Sequence, residues 1–201
     1  MIDLYSGTPG SGKSLHVAMR VYWGLRMKRT VVTNFSIDVS KIGDPAKLGR
    51  YIEVSNDELT PQKLIEVSRE HFAGRRIIED DILVVIDEAQ LLFNAREWGK
   101  KGRSDWLSFF SQHRKYGCHV ILVAQFDLML DKQIRSLIEY EYIHRKVGNF
   151  GARGKVLSAL AGGKLHVAVQ VWYPMREKVG SEFFRANKRY YSIYDTYNTF
   201  R

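Results

Sequence analysis

A chain of 201 residues, 45% hydrophobic and 26% charged, is sized for one domain, or one domain with a modest extension, around a sizeable core. The lone Cys118 excludes an intramolecular disulfide framework. No uncharged apolar run reaches the roughly eighteen residues of a membrane span, so a soluble domain is expected. The net charge of +9 is lopsided, with +2 in residues 1–140 and +7 in residues 141–201; the basic third suits anionic lipid, nucleic-acid phosphate, or simply a solvated sheet edge.

Met1 to Ser6 lacks the charged and apolar regions of a signal peptide and reads as a strand entering a glycine-rich turn. Gly7-Thr8-Pro9-Gly10-Ser11-Gly12-Lys13-Ser14 then fills every fixed position of the P-loop pattern, in the strand–turn–helix context that pattern requires. Successive backbone amides must turn inward around phosphates, which glycines permit. Lys13 adds a mobile charge for the β- and γ-phosphates, Ser14 a hydroxyl for magnesium, and the helix from Leu15 its positive end. ATP and Mg²⁺ are therefore the expected cofactors, held by residues 7–15.

Apolar positions Val17, Ala18, Val21, Tyr22 and Leu25 predict a helix over 15–27, and Val31 to Phe35 a strand. Residues 59–72, with Pro61 near the start, predict a second helix. Ile82-Leu83-Val84-Val85-Ile86 reads as a strand covered on both faces, ending in Asp87 and Glu88. Asp87 at such a tip can hold magnesium together with Ser14, and Glu88 can act as general base on the attacking water. An acidic pair after a strand is by itself common in turns. Behind a P-loop the pair becomes a second motif.

A basic loop follows (Arg96, Lys100, Lys101 and Arg103 around Trp98), suited to single-stranded DNA but more simply a solvated loop. Ser104 to Tyr116 predicts a helix closed by Gly117, and Val120 to Ala124 a further strand ending in Gln125, a candidate γ-phosphate sensor. Asp131 to Tyr140 predicts one more helix. Arg135 and Arg114, with Arg103 third, are candidate arginines for a transferring phosphoryl group, each singly more simply a surface charge. From residue 141 the period changes: residues 142–147, 165–173 and 190–194 read as strands between glycine-marked connections. The histidines show no zinc-ligand spacing, and Cys118 reads as a small core residue.

The expected fold is α/β: a P-loop core of mainly parallel sheet flanked by helices over 1–140, and a basic, β-rich extension of the same domain, antiparallel, over 141–201. The alternation of short apolar runs and helical segments supports the parallel part. Three functions share this site: a motor, a nucleotide-dependent switch or scaffold, and a small-molecule kinase. Glu88 argues against the kinase, which excludes water rather than activating it.

The phosphate loop, Val31-Val32-Thr33-Asn34-Phe35, Val84-Val85-Ile86-Asp87-Glu88-Ala89-Gln90, His113-Arg114-Lys115-Tyr116-Gly117, Leu122-Val123-Ala124-Gln125 and Tyr191-Ser192-Ile193-Tyr194-Asp195-Thr196 occur in this order. Together, from Tyr5 to Tyr197, they resemble the zonular occludens toxin (Zot) family, the assembly ATPases of filamentous bacteriophages. The resemblance implies an N-terminal cytoplasmic ATPase domain on the bacterial inner membrane, ahead of a transmembrane helix and a periplasmic tail. By the same resemblance, that domain would drive extrusion of single-stranded phage DNA as coat subunits assemble. A homo-oligomeric ring, phage coat and assembly proteins, single-stranded DNA and the membrane are the implied partners. The absence of a membrane segment before Arg201 makes a truncated cytoplasmic domain the expectation, and no toxin activity is assigned to it.

Overall fold

The computed structural model describes residues 1–95, 102–160 and 162–194. Arg96, Trp98, Lys100, Lys101 and Tyr197, on which the basic-loop reading and the far end of the resemblance rest, lie outside them.

Among the described residues, eight strands form one sheet. In chain order they are β1 (Ile2–Ser6), β2 (Thr30–Thr33), β3 (Tyr51–Glu53), β4 (Ile82–Ile86), β5 (Cys118–Val123), β6 (Tyr140–Lys146), β7 (Leu165–Trp172) and β8 (Glu177–Arg185). Their spatial order is β3-β2-β4-β5-β1-β6-β7-β8. The first six are parallel, and β7 and β8 continue the same sheet antiparallel. β1, β4 and the apolar positions of β5 are buried throughout because helices cover both faces.

The helices are α1 (Lys13–Arg26), α2 (Pro61–His71), α3 (Arg103–Gln112), α4 (Lys132–Arg135), α5 (Gly151–Leu160) and α6 (Lys188–Tyr191). Val17, Val21 and Leu25 of α1 pack with Val31, Val85 and Ile121 on one face. On the other, Leu64 and Val67 of α2 and Phe109 and Phe110 of α3 meet Leu4, Val84 and Leu122. Thr60 caps α2 by accepting from the Lys63 amide, and Pro61 follows where no donor is lost.

Three expectations need correction. Residues 131–140 are not one helix: α4 ends at Arg135, and the Glu139 amide already bonds Ile2 O as β6 begins against β1. Residues 190–194 are not a strand: Asn187 caps the short helix α6, Tyr190 packs on Tyr22, and Tyr194 makes only an isolated bridge to Ile37. The glycines at 151 and 154 lie in helix α5 rather than in a connection.

Sequence order sends the chain from β1 through α1 to β2, leaving room for two strands between, and β4 and β5 later fill that gap. The carboxyl ends of β1, β4 and β5 therefore adjoin where the winding reverses. A ligand crevice belongs there.

Candidate active site

Residues 7–12 connect β1 to α1 along that edge. Gly7, Gly10 and Gly12 take φ of 137°, 73° and 104°. At Gly12 a Cβ would come 2.7 Å from His166 Nδ1, and at Gly7 one would come 2.6 Å from the His144 carbonyl oxygen. The loop is drawn tight by Ser11 N donating to Thr8 O at 3.1 Å and by Gly7 N donating to Gln125 O at 3.1 Å. Thr8, Pro9 and Gly10 face solvent, Ser11 is buried, and Gly12, Lys13, Ser14 and Leu15 are half-buried. The buried Ser11 hydroxyl has no hydrogen-bond partner among the described residues. Lys13 folds back over the loop, its Nζ donating to Gly7 O at 2.6 Å and Thr8 O at 3.4 Å. Burial lowers its pKa, against the opposing pull of Asp87 and Glu88.

Asp87 and Glu88 follow β4 directly. Asn34, at the end of β2, holds the Asp87 backbone from both sides: its Oδ1 accepts from Asp87 N at 2.7 Å, and its Nδ2 donates to Asp87 O at 2.9 Å. The Asp87 carboxylate accepts from Glu88 N at 2.9 Å through Oδ1 and from the Tyr194 hydroxyl through Oδ2. Burial raises its pKa, and the Tyr194 bond works against that. Glu88 has a left-handed backbone, φ 47° and ψ 46°, and its carboxylate accepts from Gln90 Nε2.

Gln125 lies two residues beyond β5 and bonds the loop through its backbone. With Gly7, Thr8 and Gly10 it lines a cavity of about 580 Å³, which extends to Glu141, Arg145, Asn149 and Phe150. Ser6 Oγ donates to Glu141 at 2.5 Å. Arg176 joins Glu141 at 2.8 Å and Asp127 at 2.6 Å, fixing the turn that carries Gln125.

The candidate arginines are not brought to the loop within this chain. Arg114 precedes β5, at the opposite end of the strand from the loop, and pairs with Glu139 at 2.9 Å. Arg103 pairs with Asp131. Arg135 is half-buried beside the Tyr173 hydroxyl. Lys13, Ser14, Asp87, Glu88 and Gln125, by contrast, converge on one edge.

Sequence reasoning missed three contributors. Asn34 and Tyr194 both sat in segments carrying the family resemblance, but strand order alone puts them beside Asp87. The third is a histidine relay behind the loop. His144 Nδ1 donates to Ser6 O at 3.0 Å, which leaves its Nε2 to accept from His16 Nδ1 at 2.9 Å. His166 Nδ1 donates to Ser11 O at 2.9 Å. Burial, then the neighbouring His16, hold the His144 pKa down to about 3.

A glycine-rich loop opening a helix, with an acidic strand tip beside it, defines the P-loop nucleoside triphosphatase fold. The match to the family described as "Zonular occludens toxin (Zot)" extends over residues 1–200, and the chain belongs to that family. It is 30% identical over 170 residues to the Gene 1 protein of Enterobacteria phage I2-2, covering 82% of this chain and 46% of that protein. The chain thus spans about half the length of that relative. Its fold resembles the N-terminal domain of zonular occludens toxin from Neisseria meningitidis, with TM-score 0.60 and 22% identity over 96% of this chain and 98% of that one. It also resembles the genome packaging NTPase B204 of Sulfolobus turreted icosahedral virus 2, solved with ATP-gammaS, at TM-score 0.54 and 14% identity over 93% and 97% of the two chains.

Proposed function

We propose that this chain is the ATP-hydrolysing module of a phage assembly and export motor. The observation that carries the proposal is the convergence of the phosphate loop with Asp87 and Glu88 at the crevice edge. The donors suit the cofactors: inward backbone amides and an ammonium for a polyphosphate, a hydroxyl and a carboxylate for a hard divalent cation. Residues 7–15 would hold ATP, and Ser14 and Asp87 would hold Mg²⁺. When bound, the cation neutralises charge on the phosphoryl oxygens.

The chain's own residues supply the rest. Lys13 leaves Gly7 O for phosphate oxygen, exchanging one acceptor for a charged one. Glu88 takes a proton from the attacking water at its carboxylate, and the rigid turn at Ala89–Leu91 fixes its direction. Gln125, pinned beside Gly7, reports on the terminal phosphate. A ring of copies would bring one of Arg103, Arg114 or Arg135 to a neighbour's site, and exposed Arg114 requires the least rearrangement.

The family resemblance, the phage Gene 1 relative and the packaging NTPase support coupling to virion extrusion, with coat protein and single-stranded DNA as partners. Among the described residues no helix is long and apolar enough to cross a membrane. Attachment to the inner membrane would use a segment outside these residues.

Glu88→Gln tests the chemistry. It is expected to bind ATP within a few-fold of the parent and to lower turnover about 10²-fold or more. Parental turnover in that variant would remove Glu88 from the reaction. A nucleotide-dependent switch predicts steady-state turnover indifferent to single-stranded DNA and membranes, whereas a motor predicts stimulation.

A further inference from the structure

Tyr194 takes no part in the chemistry above, yet its hydroxyl touches both residues assigned to the cation. It donates to Asp87 Oδ2 and meets the Ser14 hydroxyl, which has only this oxygen to donate to in that pair. Asp87 cannot turn away, because Asn34 clamps its backbone on two sides and Glu88 N occupies Oδ1.

The residues before Tyr194 are seated on the segment that follows β2. Ile193 is buried, and its carbonyl accepts from Asp38 N at 2.9 Å. Ser192 O accepts from Lys41 Nζ at 3.1 Å. The Tyr194 ring lies 4.8 Å from that of Phe35. A few contacts therefore tie this strip to the metal position, and its other bonds leave Ser14 and Asp87 untouched.

Mg²⁺ demands oxygen ligands at about 2.0–2.1 Å in near-octahedral array and keeps several waters. A phenol oxygen that accepts from Ser14 and donates to Asp87 would have to give way before those two residues could hold such an ion.

We propose that Tyr194 holds the place of the divalent cation, so that metal entry expels its hydroxyl and loosens residues 192–194 from Asp38 and Lys41. This rests on the nucleotide reading of the site and adds its link to the chain beyond β8. Coupling of this kind is reciprocal: whatever pulls residues 192–194 away favours the metal, and the metal favours their release.

Two measurements on the whole chain test it. Nucleotide binding is titrated with Mg²⁺ for the parent and Tyr194→Phe, which keeps the ring on Phe35, alongside binding in a chelator. The variant is expected to need about ten- to a hundred-fold less Mg²⁺ for half-saturation, the worth of one hydrogen bond to a charged group, with metal-free affinity unchanged. Hydrogen exchange at the Asp38 amide is expected to quicken when Mg²⁺ is added to the nucleotide complex, and not with nucleotide alone. An equal or greater Mg²⁺ requirement in Tyr194→Phe, or an Asp38 amide that keeps its protection, would overturn the proposal while leaving the nucleotide site standing. A parent chain that binds no nucleotide under any condition would remove both.

Discussion

Glu88 adopts a left-handed backbone without being a glycine, at a cost of about 1–2 kcal/mol. Such strain persists only where neighbours enforce it. Asp87 Oδ1 bonding Glu88 N and the single helical turn after it do so here. Behind the loop, His144 makes a second demand. Its folded pKa of about 3 lies below the ordinary value near 6.5, so the folded protein holds it neutral while the unfolded chain takes up a proton as pH falls. Its contribution is complete above about pH 6.5 and is lost between there and pH 3, at up to about 1.4 kcal/mol per pH unit. The groups around it are His16, Glu182, Arg20 and Lys13, and burial lowers His16 in the same direction. His144→Gln should therefore be less stable than the parent at pH 7, with the gap narrowing by pH 5 in denaturant melts. A gap of constant size would contradict the neutral, buried imidazole.

Among the elements, the loop meets the start of β7, where His166 Nδ1 donates to Ser11 O. Gly12→Ala would place a methyl against the His166 ring at a left-handed φ, costing about 1–2 kcal/mol from the backbone alone. It is expected to lower the melting temperature and to weaken nucleotide binding at least about tenfold. Wild-type affinity in that variant would mean the loop does not act as a rigid cradle. Elements whose signals are local were legible in the sequence: β4 by its five apolar residues, α2 by Thr60 and Pro61, the loop by its glycines. Elements decided by neighbours were not. Ile134, Leu137 and Ile138 have helical spacing, yet pairing with β1 draws the chain into β6 instead. β8 exposes most of its length as an edge strand, so it shows no apolar period to read. β3 is three residues long. In α5 the glycines suggested a connection, but Gly154 is there because a Cβ would strike the Val147 carbonyl. The site divides the same way: Lys13, Ser14, Asp87 and Glu88 announce themselves by motif, whereas Asn34, Tyr194 and the histidine relay are joined only by strand order.

Over the whole molecule, one sheet carries six parallel strands with the phosphate loop and an antiparallel end that walls it. β6 links them: its register with β1 sets Glu141 under Ser6 and His144 behind the loop. Arg145 and Lys146 of β6 and Lys178 and Arg185 of β8 thus lie on the same sheet as the crevice, and a polyanionic partner drawn to them would approach it. The proposed motor requires this edge to bind a polyphosphate with a divalent cation. Calorimetric titration of ATP into the parent and into Lys13→Ala, each with Mg²⁺, tests it most directly. The expected result is saturable one-site binding to the parent and none to a folded Lys13→Ala chain, whose lost ammonium leaves the β- and γ-phosphates without their cationic partner. Equal binding by both, or heat-silent titration of the parent, would contradict it.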